Sequence, residues 1–108
     1  MTVRELIREQ LTLLKEAKTL NVKAKRRTKP IPMRFMSDGA ILRVLPAGKD
    51  EIEAVEEYIK VNGQAALVND IRIFIRKKTG LVFDVESGYL GSGFAFTLDV
   101  KSFIENNL

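Results

Sequence analysis

The stretch Met33-Arg34-Phe35-Met36-Ser37-Asp38-Gly39-Ala40-Ile41-Leu42-Arg43-Val44-Leu45 reads as two strands joined by a tight turn. Apolar residues recur at every second position on both sides, and Asp-Gly supplies the positive φ angles that a two-residue type I′ turn needs. With Asp38 and Gly39 as the turn, Phe35 faces Leu42 and Met33 faces Val44 on one side, while Arg34 faces Arg43 on the other. The apolar side belongs against a core, and the basic side belongs in water.

A hairpin with one apolar face needs cover, and the residues after it can provide it. Pro46-Ala47-Gly48 breaks the second strand, and Asp50, Glu51 and Glu53 then put negative charge where a helix N-terminus favours it. Ile52, Val55 and Ile59 recur at helical spacing, so a helix is expected from about Asp50 to Val61, stopped by Asn62-Gly63. Leu67, Val68, Ile71, Phe74, Ile75 and Lys78 carry a second helical pattern up to Gly80, a suitable C′ glycine. A strand through Ile71, Ile73 and Ile75 is the competing reading, and the longer 3.6-residue period outweighs it.

A second hairpin follows. The runs 81–86 and 94–98 both alternate, which puts Leu81, Phe83, Val85, Phe94, Phe96 and Leu98 on the core side and sets Phe83 opposite Phe96. Asp99 is placed to cap a last short helix carrying Val100, Phe103 and Ile104, with residues 106–108 fraying.

Upstream of the first hairpin, Thr2-Val3-Arg4-Glu5 has capping-box spacing. The apolar positions from Val3 onward predict a helix to about Leu20, on which Leu6, Leu13 and Leu20 fall seven residues apart. Residues 21–31 then read as a basic connector ending at a helix-breaking Pro30. The expected order is αββααββα: one α+β domain over residues 1–108, in which an antiparallel sheet of two hairpins carries helices on one face and leaves the other wet.

Composition narrows the function. With 45% hydrophobic and 30% charged residues the chain is of folded, globular type. It holds no Cys and no His, so a disulfide framework, a nucleophilic thiol, the commonest general base and the soft metal ligands are all missing. No apolar run approaches the roughly 18 residues of a membrane span and the N-terminus mixes charge into its apolar positions, so neither anchor nor signal peptide is expected, and a cytoplasmic protein is. Carboxylate chemistry remains, with Asp84, Glu86 and Asp99 as candidates. Matching the core faces of the second hairpin spreads these acids apart, and the acidic stretch 50–57 reads as a solvated helix face. An enzyme, a metal site and a cofactor are therefore not expected.

Charge is distributed unevenly. Residues 1–36 hold 10 Lys or Arg against 3 Glu, net +7, whereas residues 37–108 hold 8 against 11, net −3. A basic element on a near-neutral body points to an anionic partner. Lys23, Lys25, Arg26, Arg27 and Lys29, joined by Arg34 and Arg43 and extended by Lys15 and Lys18, form the candidate nucleic-acid site, for DNA or RNA. The plainer alternative makes the tract a solvated connector and pairs Arg34 and Arg43 with acids of the same chain. Arg72, Arg76, Lys77 and Lys78 sit where a helix C-terminus favours cations.

A protein-interaction or assembly subunit is the competing function. The Leu6, Leu13 and Leu20 stripe would serve a homodimer, and Tyr89 and Leu90 at the tip of the Gly-rich loop 87–93 would dock a protein partner, as in a regulator or inhibitor of a larger protein. That loop joins two strands and lacks the helix N-terminus that makes glycine loops bind phosphate. No P-loop, zinc finger, RNA-recognition signature or helix-turn-helix pattern is present. The leading expectation is a small non-catalytic accessory protein that binds nucleic acid or a nucleoprotein complex.

Overall fold

The computed structural model describes residues 2, 5, 7, 17–38, 40–87 and 93–107. Strands β1 (Lys18–Val22), β2 (Ile31–Asp38) and β3 (Ile41–Pro46) are followed by helices α1 (Lys49–Asn62) and α2 (Gln64–Thr79), strands β4 (Phe83–Ser87) and β5 (Phe94–Leu98), and helix α3 (Val100–Asn107). The five strands form one antiparallel sheet in the order β1-β2-β3-β5-β4. The α+β class and the succession of hairpin, two helices, hairpin and helix agree with the sequence reading.

The N-terminal third differs from it. The capping pair is present, with Glu5 N–H donating to Thr2 Oγ1 at 3.2 Å and helical backbone at Glu5 and Ile7. A helix does not reach Leu20, however, because Lys18–Val22 is a strand that pairs with β2, Leu20 opposite Met33 and Val22 opposite Ile31. Lys18, Leu20 and Val22 also alternate, and pairing with the exposed edge of β2 outweighs the local helical period. The sheet thus gains a fifth strand, and the connector shortens to the residues between β1 and β2. Leu6 and Leu13 lie outside the described residues, while Leu20 is half-buried against the core on a strand, so it extends no helical stripe.

Both hairpins pair two residues away from the expected register. Phe35 lies opposite Val44 rather than Leu42, and Ser37 opposite Leu42 rather than Ala40. Phe83 lies opposite Leu98, and Val85 opposite Phe96. A two-residue slip keeps every side chain on its own face, so the core face is as expected although its partners are not. One exception is Val85, expected in the core and 36% exposed: the register shifts between Val85 and Ser87, on an edge strand, where an irregularity turns the chain out of the ladder. Leu81 is buried but precedes β4, its amide donating to Thr79 Oγ1 at 3.1 Å.

The core is a single layer between sheet and helices. Val22, Ile31, Met33, Phe35, Leu42, Val44, Phe94 and Phe96 point from the strands to Val55 and Tyr58 on α1 and Leu67, Ile71 and Ile75 on α2. Each such side chain removed from water contributes about 1.5–3 kcal/mol before the cost of ordering the chain. The helical reading of residues 71–75 holds, and α2 ends at Gly80 in the left-handed region, φ 77°, with its N–H on Arg76 O at 2.8 Å. Helix α3 starts as expected, with Ser102 N–H donating to Asp99 Oδ1 at 3.1 Å, and it continues to Asn107 instead of fraying at Asn106.

Candidate nucleic-acid interface

Between β1 and β2 the chain carries its densest run of cations, and two residues of the helical layer decide how that run is held. Asp70 on α2 is buried, 6% exposed, among apolar neighbours. A carboxyl group taken from water is costly unless it is hydrogen-bonded. Its Oδ2 accepts the Tyr58 hydroxyl of α1 at 2.6 Å and the Lys25 backbone N–H at 3.1 Å. Tyr58 is itself buried, and the Arg26 backbone amide lies beside its hydroxyl. The amide of Lys25 thereby ties the basic loop to the helices.

Further contacts fold the loop on itself. Arg27 N–H bonds Ala24 O at 3.1 Å, and the Arg27 guanidinium donates to Lys29 O at 3.0 Å and Pro30 O at 3.4 Å. Ala24 is fully buried beneath the turn. Every one of these anchors uses backbone, a methyl group or Arg27, which is half-buried. The side chains of Lys23, Lys25, Arg26 and Lys29 are left exposed, and none has an acidic partner within ion-pair distance among the described residues. The run is a fixed loop rather than a loose connector.

Burial is the main cause that pushes the Tyr58 hydroxyl above its ordinary pKa of 10.0, with the hydrogen bond to Asp70 and the charge there acting the same way and the Arg26 amide opposing them. Tyr58 therefore stays a neutral donor at physiological pH. Beside it, Arg26 and Arg27 face Ala54, Glu57, Tyr58, Val61 and Asn62 of α1 across a shallow groove of about 220 Å³. Glu57 on the groove wall disfavours an anion inside it, so the groove is not where a phosphate would sit.

The structure corrects the placing of the two strand arginines. Arg34 lies opposite Leu45 and Thr19, and Arg43 opposite Met36 and Ala95, so they are diagonal neighbours and not a facing pair. Both are exposed on the sheet face away from the helices, and neither has an ion-pair partner among the described residues. The loop, by contrast, is tied down on the helical side. The seven proposed cations thus fall into two groups: Lys23, Lys25, Arg26, Arg27 and Lys29 at one end of the sheet, and Arg34 with Arg43 on its outer face. Tyr89 and Leu90 lie outside the described residues.

Neither Asp70 nor Tyr58 announces itself in the sequence. Tyr58 falls on the buried stripe of α1, three residues after Val55, but Asp70 reads as one more polar helix residue because its partner amide is 45 residues away. Arg72, Asp84 and Asp99 have structural roles. Arg72 donates to Asp84 Oδ1 at 2.7 Å and, through Nε, to Phe83 O at 3.0 Å, tying α2 to the edge strand. Asp99 caps α3, and the described residues contain no group of three or more His, Cys, Asp or Glu that could hold a metal ion. No described helix is long and apolar enough to cross a membrane. No protein-family profile matches the chain, and neither the curated proteins nor the solved structures compared with it give a match.

Proposed function

We propose that the protein is a non-catalytic accessory factor that binds nucleic acid, alone or within a nucleoprotein complex, through the loop between β1 and β2. The observation that supports this reading is the anchoring itself: Lys25 N–H on Asp70, Arg27 N–H on Ala24 O and the Arg27 guanidinium on Lys29 O fix the backbone while the side chains of Lys23, Lys25, Arg26 and Lys29 stand in water without an acidic partner among the described residues. Four like charges held close together repel, and a polyanion that releases its counterions relieves that repulsion. Arg34 and Arg43 would add contacts from the outer sheet face for a ligand that wraps the end of the sheet.

Titration of a labelled oligonucleotide by fluorescence anisotropy across a salt series tests the reading. The logarithm of the binding constant should fall linearly with the logarithm of salt, and replacing Lys25 and Arg26 by Ala should lower that slope by about 2 for a duplex. Absence of binding even at low salt would sink the proposal.

A second reading, an assembly or regulatory subunit, draws on the same outer face, where Met36 is 38% exposed between the half-buried Ile41 and Leu45. Association through that face would persist in high salt and would depend on protein concentration.

A further inference from the structure

Resting on the nucleic-acid reading, we infer that the ligand is a double strand gripped by its phosphates, and not a single strand held by its bases. Proteins that hold single strands offer aromatic faces on which successive bases stack, each worth about 1–3 kcal/mol. Here the described aromatics are turned inward. Phe35, Phe83, Phe94, Phe96, Phe103 and Tyr58 are buried, and Phe74 is half-buried with its ring centroid 5.6 Å from that of Phe35.

The outer sheet face, where a stacking platform would lie, instead presents Thr19, Arg34, Met36, Arg43, Ala95 and Thr97. Of these, Thr19, Arg34 and Arg43 can meet phosphate and sugar, and none of the six gives a ring to a base. The basic loop points the same way. A single strand is supple and adapts to cations on a mobile tail, whereas a duplex offers phosphates at fixed spacing and rewards cations that are already fixed. Lys23, Lys25, Arg26 and Lys29 extend from a backbone held at the Lys25 amide, at the buried Ala24 and by the Arg27 guanidinium. Phosphate contacts position a protein without reading sequence, so the binding is indifferent to base order.

The test titrates the full chain with labelled DNA and RNA duplexes, with scrambled duplexes of equal length, and with the separated strands of each. A duplex, of DNA or of RNA, should bind about tenfold more tightly than its separated strands at the same salt, scrambled duplexes alike, and the arm that prevails identifies the sugar. Equal or tighter binding of the single strands overturns the inference while leaving the nucleic-acid reading in place. So does a loss of affinity on Tyr89→Ala, in a variant whose circular dichroism is that of the parent, because it would place a stacking ring in the interface. No binding to any oligonucleotide removes the broader reading together with this one.

Discussion

The Tyr58 hydroxyl on α1 and Asp70 Oδ2 on α2 share a buried hydrogen bond of 2.6 Å, and the basic loop hangs from that pair by the amide of Lys25. One contact therefore joins the two helices to each other and to the basic loop. Tyr58→Phe removes the hydroxyl and leaves the ring in place, and should cost about 1–2 kcal/mol in urea unfolding with an unchanged m-value. Asp70→Ala strands both donors and should cost about 3 kcal/mol. If Asp70→Ala proves as stable as the parent, the pair is not what holds the loop.

The same pair sets an alkaline limit. Burial first, then Asp70, raises the Tyr58 pKa in the folded state above 10.0, its value in an unfolded chain. A group with a raised folded pKa contributes stability that is fully present below its unfolded pKa and is lost as pH rises through the folded one. The contribution of Tyr58 to stability should thus be constant from neutral pH to about 10 and fall above it. In Tyr58→Phe the fall should shrink, when unfolding midpoints are compared across that range.

Asp99 sets a limit on the acid side. The Ser102 amide, and then the Ser102 hydroxyl at 2.7 Å, hold its carboxyl below the ordinary 3.8. A depressed pKa contributes stability above the unfolded value that is lost as pH falls through the folded one. Asp99→Ala should lower the melting temperature at neutral pH, and the difference from the parent should vanish as pH drops below 3.8.

Two glycines should respond differently to the same change. Gly93 has φ 110°, and a Cβ there would press into the Val44 carbonyl oxygen and the Leu45 side chain of β3. Gly80 has φ 77° with open space where a Cβ would be. Gly80→Ala should cost about 1 kcal/mol, the left-handed penalty alone. Gly93→Ala adds a backbone clash that only a shift of β5 against β3 can relieve, and should exceed about 3 kcal/mol. Thermal unfolding of the two variants side by side decides this.

Much of the fold follows from the local sequence. The 3.6-residue period around Val55 and Ile71, the stop at Gly63, the left-handed Gly80 and the Asp99 cap act within one or two turns of chain, so the sequence alone determines α1, α2 and the start of α3. Alternation likewise determines which face of β2, β3 and β5 is apolar, because a side chain's face depends only on its parity along the strand.

The basic run Lys23–Lys29 was equally legible as a cluster of charge, whereas Tyr58 was not among the residues its helix was expected to bury.

What tertiary structure decided is whatever depends on a partner far away in the chain. Both hairpins sit two residues from the register read from the sequence, a slip that parity cannot detect and that the packing of Val44, Phe96 and Leu98 beneath the helices selects. Lys18–Val22 carries helical and strand patterns at once, and only the open edge of β2 makes it a strand. Arg34 and Arg43 became diagonal for the same reason of register. The basic run became a fixed loop because Asp70, 45 residues on, is buried where only the Lys25 amide and the Tyr58 hydroxyl can satisfy it: a hydrogen-bonding need that exists only once the helices have closed over the sheet.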